Sequence, residues 1–157
     1  MSGQAPVVGV LVASPAELSV MQQATAILEK LGVAHEIRVV SAARNPDLVD
    51  EYVRTAFERG LKVLICTTGI SGHLASAAAS RTVLPVVGVP VASEQMGGEQ
   101  ALYVTAQMPS GVPVATVGVD AAVNAAILAA EIVGVGDSDV QVRLWRFKDD
   151  LAEGLRL

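Results

Sequence analysis

The sequence predicts an α/β fold, a three-layer sandwich with a mostly parallel sheet between two layers of helices. Three observations carry this. Short apolar runs recur at VVGVLV (7–12), IRVV (37–40), KVLICTT (62–68) and PVVGVPV (85–91). They are continuous rather than alternating, as in strands covered on both faces. Most are followed by a polar or glycine-bearing turn and then by apolar residues at helical spacing. Finally, hydrophobic residues make up 52% of the chain and aromatics only 3%, so the core is built from Val, Leu, Ile and Ala, which suits β-branched strands under alanine-rich helices. A chain of 157 residues holds one such domain and is too short for two ordinary ones.

The first strand runs into Ala13, Ser14, Pro15, Ala16 and Glu17, where Ser14 can cap and Pro15 can occupy the first helical turn. From Glu17 to Leu31, the residues Leu18, Met21, Ala24, Ile27, Leu28 and Leu31 share one helix face, and Gly32 stops the helix. The plan repeats: AHEIRVV (34–40) is a strand, SAARNP (41–46) a turn, and Asp47 to Arg59 a helix closed by Gly60. The third strand, KVLICTT, leads through TTGISGHLAS (67–76) into a helix, and PVVGVPV is the fourth. The stretch GGEQALYVTAQMPSGVPV (97–114) reads as a loop and helix, with paired glycines suited to a bend over the crevice and a closing Pro-Ser-Gly turn. A fifth strand is expected at VPVATVGV (112–119), before an alanine-rich helix from about Ala121 to Ile132.

That helix has almost no polar face and must be buried, and a domain this small offers few places for it without a neighbouring subunit. The tail DVQVRLWRFKDDLAEGLRL (139–157), with Leu144, Trp145 and Phe147 among charges, reads as an amphipathic helix. The expected organisation is therefore an α/β domain over 1–136 and a C-terminal helix over 137–157 that packs on the body or on a neighbouring subunit. Alternating strands and helices imply right-handed crossovers and a flavodoxin-like sheet. The ligand crevice of such a sheet lies beyond the carboxyl ends of the strands, which places residues 13–17, 41–46 and 67–73 on one edge.

Composition excludes several classes of partner. The net charge is −5 and the Lys and Arg residues are scattered, so no basic stripe exists for nucleic acid. No apolar run approaches the ~18 residues of a membrane span, and MSGQAPVVGV lacks a positive leader segment. The single cysteine cannot close an internal disulfide, which suggests a reducing, cytoplasmic setting. Two distant histidines, one cysteine and unclustered carboxylates show no metal-ligand spacing.

The reactive residues are few. His35, near the start of a strand, has a structural or surface role. Cys66, ending the run KVLIC, reads as a buried, inert thiol. His73 stands where the third loop enters its helix; it is either functional or simply satisfied at a helix start. Ser14 and Ser41 each follow a strand and precede a helix, where free N–H groups favour a phosphate or need only a cap. Arg44 can add a charge-assisted contact, and Glu17 can cap its own helix or hold ribose hydroxyls. Neither GxGxxG nor GxxxxGK[ST] occurs.

In VVSAARNPD (39–47), GISGHL (69–74), TVLPVVGVPV (82–91), ALYVTAQMPSGVPVAT (101–116) and NAAILAAEI (124–132), the chain resembles the PurE family, enzymes of purine synthesis that move or add a carboxylate on aminoimidazole ribonucleotide. The resemblance covers roughly residues 7 to 135. It implies a parallel-sheet domain assembled as a homo-octamer, active sites at subunit junctions, and no cofactor. The implied ligand is a nucleotide or related phosphorylated heterocycle, with CO2 or bicarbonate in one branch.

The family's first loop, GSxSD, corresponds to Ala13 through Glu17. Ser14 then keeps a phosphate contact, and Glu17 replaces the ribose-handling Asp with one more methylene. The second loop, SAHR, is SAAR here: Ser41 and Arg44 match, while Ala43 replaces the histidine that shuttles a proton at the ring carbon. The third, GAGGAAHLPG, is TTGISGHLAS. Gly69, His73 and Leu74 match, and Thr67, Thr68, Ile70 and Ser71 are larger than their counterparts. Ser110 stands where an arginine is frequent, and VGVDAAVN (117–124) is about two residues shorter than the glycine-rich family version. By this resemblance Ser14, Glu17, Ser41, Arg44, Thr67, Gly69, Ser71, Gly72 and Leu74 bind substrate, and His73 is the catalytic candidate. The expected function is a divergent enzyme carboxylating or decarboxylating an aminoimidazole-ribonucleotide-like heteroaromatic nucleotide in specialised metabolism. The alternatives are the ordinary N5-carboxyaminoimidazole ribonucleotide mutase and a non-catalytic nucleotide-binding or scaffold homologue.

Overall fold

The computed structural model describes residues 4–69, 71–94 and 97–156. Its elements are β1 (Val8–Val12), a short 3-10 turn (Pro15–Glu17), α1 (Leu18–Lys30), β2 (His35–Val39), α2 (Pro46–Ala56), β3 (Val63–Thr68), α3 (His73–Ala79), β4 (Val86–Pro90), α4 (Gly98–Ala106), β5 (Ala115–Thr116), α5 (Ala122–Gly134) and α6 (Ser138–Ala152). The five strands form one sheet in the order β2-β1-β3-β4-β5, and every neighbouring pair is parallel. This is the flavodoxin-like order, with its reversal between β1 and β3.

Strand residues alternate between two cores. Val8, Val10, Val12, Val63, Ile65, Val87 and Val89 meet Met21, Ala24 and Leu28 of α1 and the alanines of α5. On the other face, Leu11, Leu64, Cys66 and Val86 meet Val49 and Val53 of α2 and Leu74, Ala75 and Ala78 of α3. Burial on both sides explains why β1, β4 and Val63 to Cys66 of β3 are apolar at every step rather than at every second one, β3 ending in the buried Thr67 and Thr68.

Three expectations need correction. The fifth strand, expected over 112–119, pairs only at Ala115 and Thr116. It is an edge strand whose preceding Pro113 has no N–H to donate, and Asp120, at φ 55°, turns the chain away soon after. The alanine-rich helix α5 finds most of its cover within the chain, against α1 and the sheet and under α6: Val140, Leu144 and Phe147 share its core cluster, while Val123, Leu128 and Ile132 stay partly exposed. Trp145, grouped with Leu144 and Phe147 from the sequence, instead faces outward at 67% exposure. The buried stripe is 140, 144, 147, and a residue one step from Leu144 is rotated about 100° off it.

Candidate active site

The carboxyl ends of β1, β2 and β3 carry three loops that meet in a cleft of about 760 Å³. Ser14, Glu17, Ser41, Ala43, Arg44, Thr67, Gly69, Ser71, His73 and Leu74 all line it. Of the sequence-derived site residues, only Gly72 does not. The expectation that Ile70 crowds the cleft lies outside the described residues.

Ala13 is the knot of the site. Its N–H donates to Thr67 Oγ1 at 2.9 Å, and its carbonyl accepts from Arg44 Nη2 at 3.0 Å. The first loop is thereby tied to β3 and to the second loop through one peptide. Ser14 caps the 3-10 turn, accepting from Ala16 N at 3.3 Å. Ser41 accepts from Arg44 N at 3.2 Å, and Asn45 N closes the turn onto the Ser41 carbonyl at 2.8 Å. Both serines act as acceptors inside the protein and so keep their own protons for an anion's oxygens. With one Arg44 nitrogen on Ala13, the rest of the exposed guanidinium can meet a phosphate entering at the start of α2.

Glu17 extends from the end of the 3-10 turn and accepts from Thr67 Oγ1 through Oε2 at 2.5 Å. Its other oxygen lies over Gly69, where an added Cβ would stand 3.3 Å away. His73 opens α3 and is exposed to the cleft, whereas Leu74 behind it is buried. Gly72 has a structural job. It holds the left-handed conformation at φ 61°, and a Cβ there would come within 2.5 Å of Val104 Cγ1, so only glycine passes under α4 at this point.

Several contributors escaped sequence reasoning. The buried hydroxyls of Thr68 and Thr105 are hydrogen-bonded, and Thr105 also donates to the Ala101 carbonyl at 2.6 Å. Together with Val104 over Gly72, this bond makes α4 a brace for the third loop. Asp120 Oδ1 accepts from Ala92 N at 3.1 Å and its N–H donates to the Pro90 carbonyl, fixing the wall where Val91, Ala92, Ser93 and Glu94 line the cleft. These pairs are separated by 28 to 37 residues and leave no local pattern.

Two reactive side chains stand outside the lining of the cleft. His35 Nδ1 bonds the Val33 carbonyl at 3.0 Å, away from the cleft. Cys66 is fully buried, and burial pushes its thiol up to about 12, so at neutral pH it is a protonated, inert group. The native protein is accordingly expected to react with a disulfide thiol reagent at pH 8 only as it unfolds. Fast stoichiometric labelling of folded protein, followed by absorbance, would refute this burial. Among the described residues, no group of three or more His, Cys, Asp and Glu can hold a metal ion, and no helix is long and apolar enough to cross a membrane.

Comparison with known proteins agrees with this architecture. The family model described as AIR carboxylase matches residues 7–154, a span that includes α6. An N5-carboxyaminoimidazole ribonucleotide mutase from Pyrococcus horikoshii is 44% identical over 151 residues, covering 96% of this chain and 85% of that protein. A chloroplastic phosphoribosylaminoimidazole carboxylase from Vigna aconitifolia is 42% identical over 94% of this chain, which corresponds to 26% of the plant protein. The crystal structure of Treponema denticola PurE superposes with a TM-score of 0.84 at 24% identity, covering 94% of this chain and 92% of the other, which establishes the shared fold. By the extent of the family match and the identity to these relatives, the chain belongs to the AIR carboxylase (PurE) family.

Proposed function

We propose that the cleft binds a 5′-phosphorylated aminoimidazole ribonucleotide and moves a carboxylate on or off its ring. The observation that carries this reading is the gathering of Arg44, two proton-bearing serines, Glu17 and His73 in one cleft. A phosphate finds neutralising donors, a sugar finds a carboxylate acceptor, and the ring finds an imidazole. The mutase and carboxylase names of the two relatives support the same class of reaction.

The residues divide the work. Arg44, Ser14 and Ser41 hold the phosphate by charge-assisted and hydroxyl hydrogen bonds. Positioning by this remote group restricts the ring and contributes to the rate through lost freedom already paid on binding. Backbone N–H groups of the third loop meet the carboxylate. Forming the new carbon–carbon bond removes a proton from the ring carbon, and breaking it returns one. Ala43 can do neither, so the proton passes through His73 or a bound water, and turnover is slower than a histidine at position 43 allows. Ala43 also favours a second reading, a nucleotide-binding protein without turnover.

One experiment separates the two. ¹³C-labelled carboxylate is followed by NMR in the carbamate nucleotide and in its C4-carboxylate isomer, with an enzyme-free control. Protein-dependent movement or loss of label supports the enzyme; saturable binding without either supports the binder. Replacing Arg44 with Ala is expected to weaken ribose 5-phosphate about 10- to 100-fold by calorimetry, the loss of a hydrogen bond to a charged group. Unchanged affinity would remove Arg44 from the phosphate site. We extend the family's homo-octamer to this chain as well: the exposed side chains of Tyr103 and Val104 on α4, and Val119 against Gly98, are the apolar surface that a neighbour would cover.

A further inference from the structure

We propose that Thr67 is a positioning residue that aims Glu17 at the vicinal hydroxyls of a ribosyl phosphate. The inference rests on the functional reading for the sugar phosphate and on the structure for the rest.

A threonine hydroxyl has a single proton. Here Thr67 Oγ1 accepts the Ala13 N–H, which orients the oxygen and leaves its proton for Glu17 Oε2. Thr67 itself is fully buried, and its bond to Glu17 is half-buried at the cleft wall. Although Thr67 lines the cleft, it has no proton left for a ligand; its role passes through Glu17. The second carboxylate oxygen, Oε1, has no hydrogen bond among the described residues and lies over Gly69, on the wall of the cleft. One oxygen is anchored and the other is open.

A free glutamate spreads over many rotamers, and ordering it on binding weakens the ligand. Anchoring Oε2 in the unliganded protein removes that cost and fixes the place of the two remaining lone pairs on Oε1. Two adjacent hydroxyls of a ribose can donate to one such oxygen. The extra methylene of Glu17, relative to the shorter acid of the family, is taken up by a threonine that stands where the family has a smaller residue. The geometry also gives Gly69 a reason: any side chain there would press on the open oxygen.

The test is calorimetric titration of the full chain with ribose 5-phosphate and 2-deoxyribose 5-phosphate, repeated with aminoimidazole ribonucleotide and its 2′-deoxy counterpart. The unmodified protein is expected to favour the ribose forms. Thr67→Val, equal in shape but without a hydroxyl, is expected to lose roughly 5- to 30-fold in affinity for the ribose forms, the scale of one hydrogen bond. Because valine also leaves the Ala13 N–H without its acceptor, the readout is the ratio of ribose to deoxyribose affinity, which should fall by that factor, and Thr67→Ser, which retains the hydroxyl, should recover most of the preference. Equal weakening of both sugars, no weakening, no recovery with serine, or no binding by the unmodified protein would each overturn the proposal. The labelled-carboxylate assay judges the functional reading separately. Static label together with a hydroxyl preference that follows Thr67 leaves this inference standing and removes that one.

Discussion

Ala43→His is expected to raise carboxyl transfer between the aminoimidazole nucleotides by about 10²- to 10⁴-fold, the usual contribution of a positioned acid-base group. The site is prepared for it. Ala43 lies in the turn between Ser41 and Arg44, lines the cleft, and is not among the described residues with positive φ. A longer side chain there meets open cleft rather than strained backbone. The gain should appear with a pH dependence near the ordinary imidazole value of about 6.5. Ala43→Asn, polar and similar in reach but unable to exchange a proton at neutral pH, should stay at the original rate.

A rate unchanged by Ala43→His would be equally instructive. It would mean that the ring is not seated against the second loop, and attention would move to the third. There Thr67 and Thr68 are tied to Glu17 and Thr105, so the added bulk is rigid and reshapes the cleft instead of yielding to a ligand. Measuring kcat and KM separately distinguishes the two. A missing proton carrier lowers kcat at unchanged KM, whereas a reshaped cleft moves both.

The sheet was legible in the sequence because burial on both faces leaves a continuous apolar run, and β1, β4 and Val63 to Cys66 of β3 show it. The site edge was legible because capping chemistry is local: Ser14 to Ala16 and Ser41 to Arg44 are bonds within three residues. What the sequence concealed is long-range. The Thr67 hydroxyl reads as an ordinary polar end of a strand until Ala13, 54 residues away, and Glu17, 50 residues away, are brought to it. The Thr68–Thr105 bond and the Val104 cover over Gly72 depend on where α4 lies. No periodicity announces them. The demand of α5 for burial was read correctly, but its cover was assigned to another subunit when the chain's own α6 supplies much of it.

Phe147→Ala is expected to destabilise the protein by about 3–5 kcal/mol, the usual cost of emptying a buried aromatic site. Against a net stability of roughly 5–15 kcal/mol, that lowers the melting temperature by roughly 6–20 °C for a domain of this size. The reason lies in what α6 covers. Phe147 is 3% exposed and packs in the cluster that holds the alanine face of α5, while the Lys30 ammonium stands 5.4 Å from its ring centroid. Arg143 fastens the same helix to the end of α1, donating to the Leu31 carbonyl at 2.6 Å, where a cation also complements the helix dipole. Alanine at 147 leaves a cavity that small neighbours on α5 cannot fill. Trp145 provides the contrast: at 67% exposure, its replacement by Ala should change stability by less than about 0.5 kcal/mol in a single subunit. Denaturant melts of the two variants, read with light scattering, separate the possibilities. A mild Phe147→Ala would show that α6 is an appendage rather than a wall of the core. A severe, concentration-dependent Trp145→Ala would show that the outer face of α6 is buried in an assembly, since an exposed side chain acquires such a cost only when another subunit covers it.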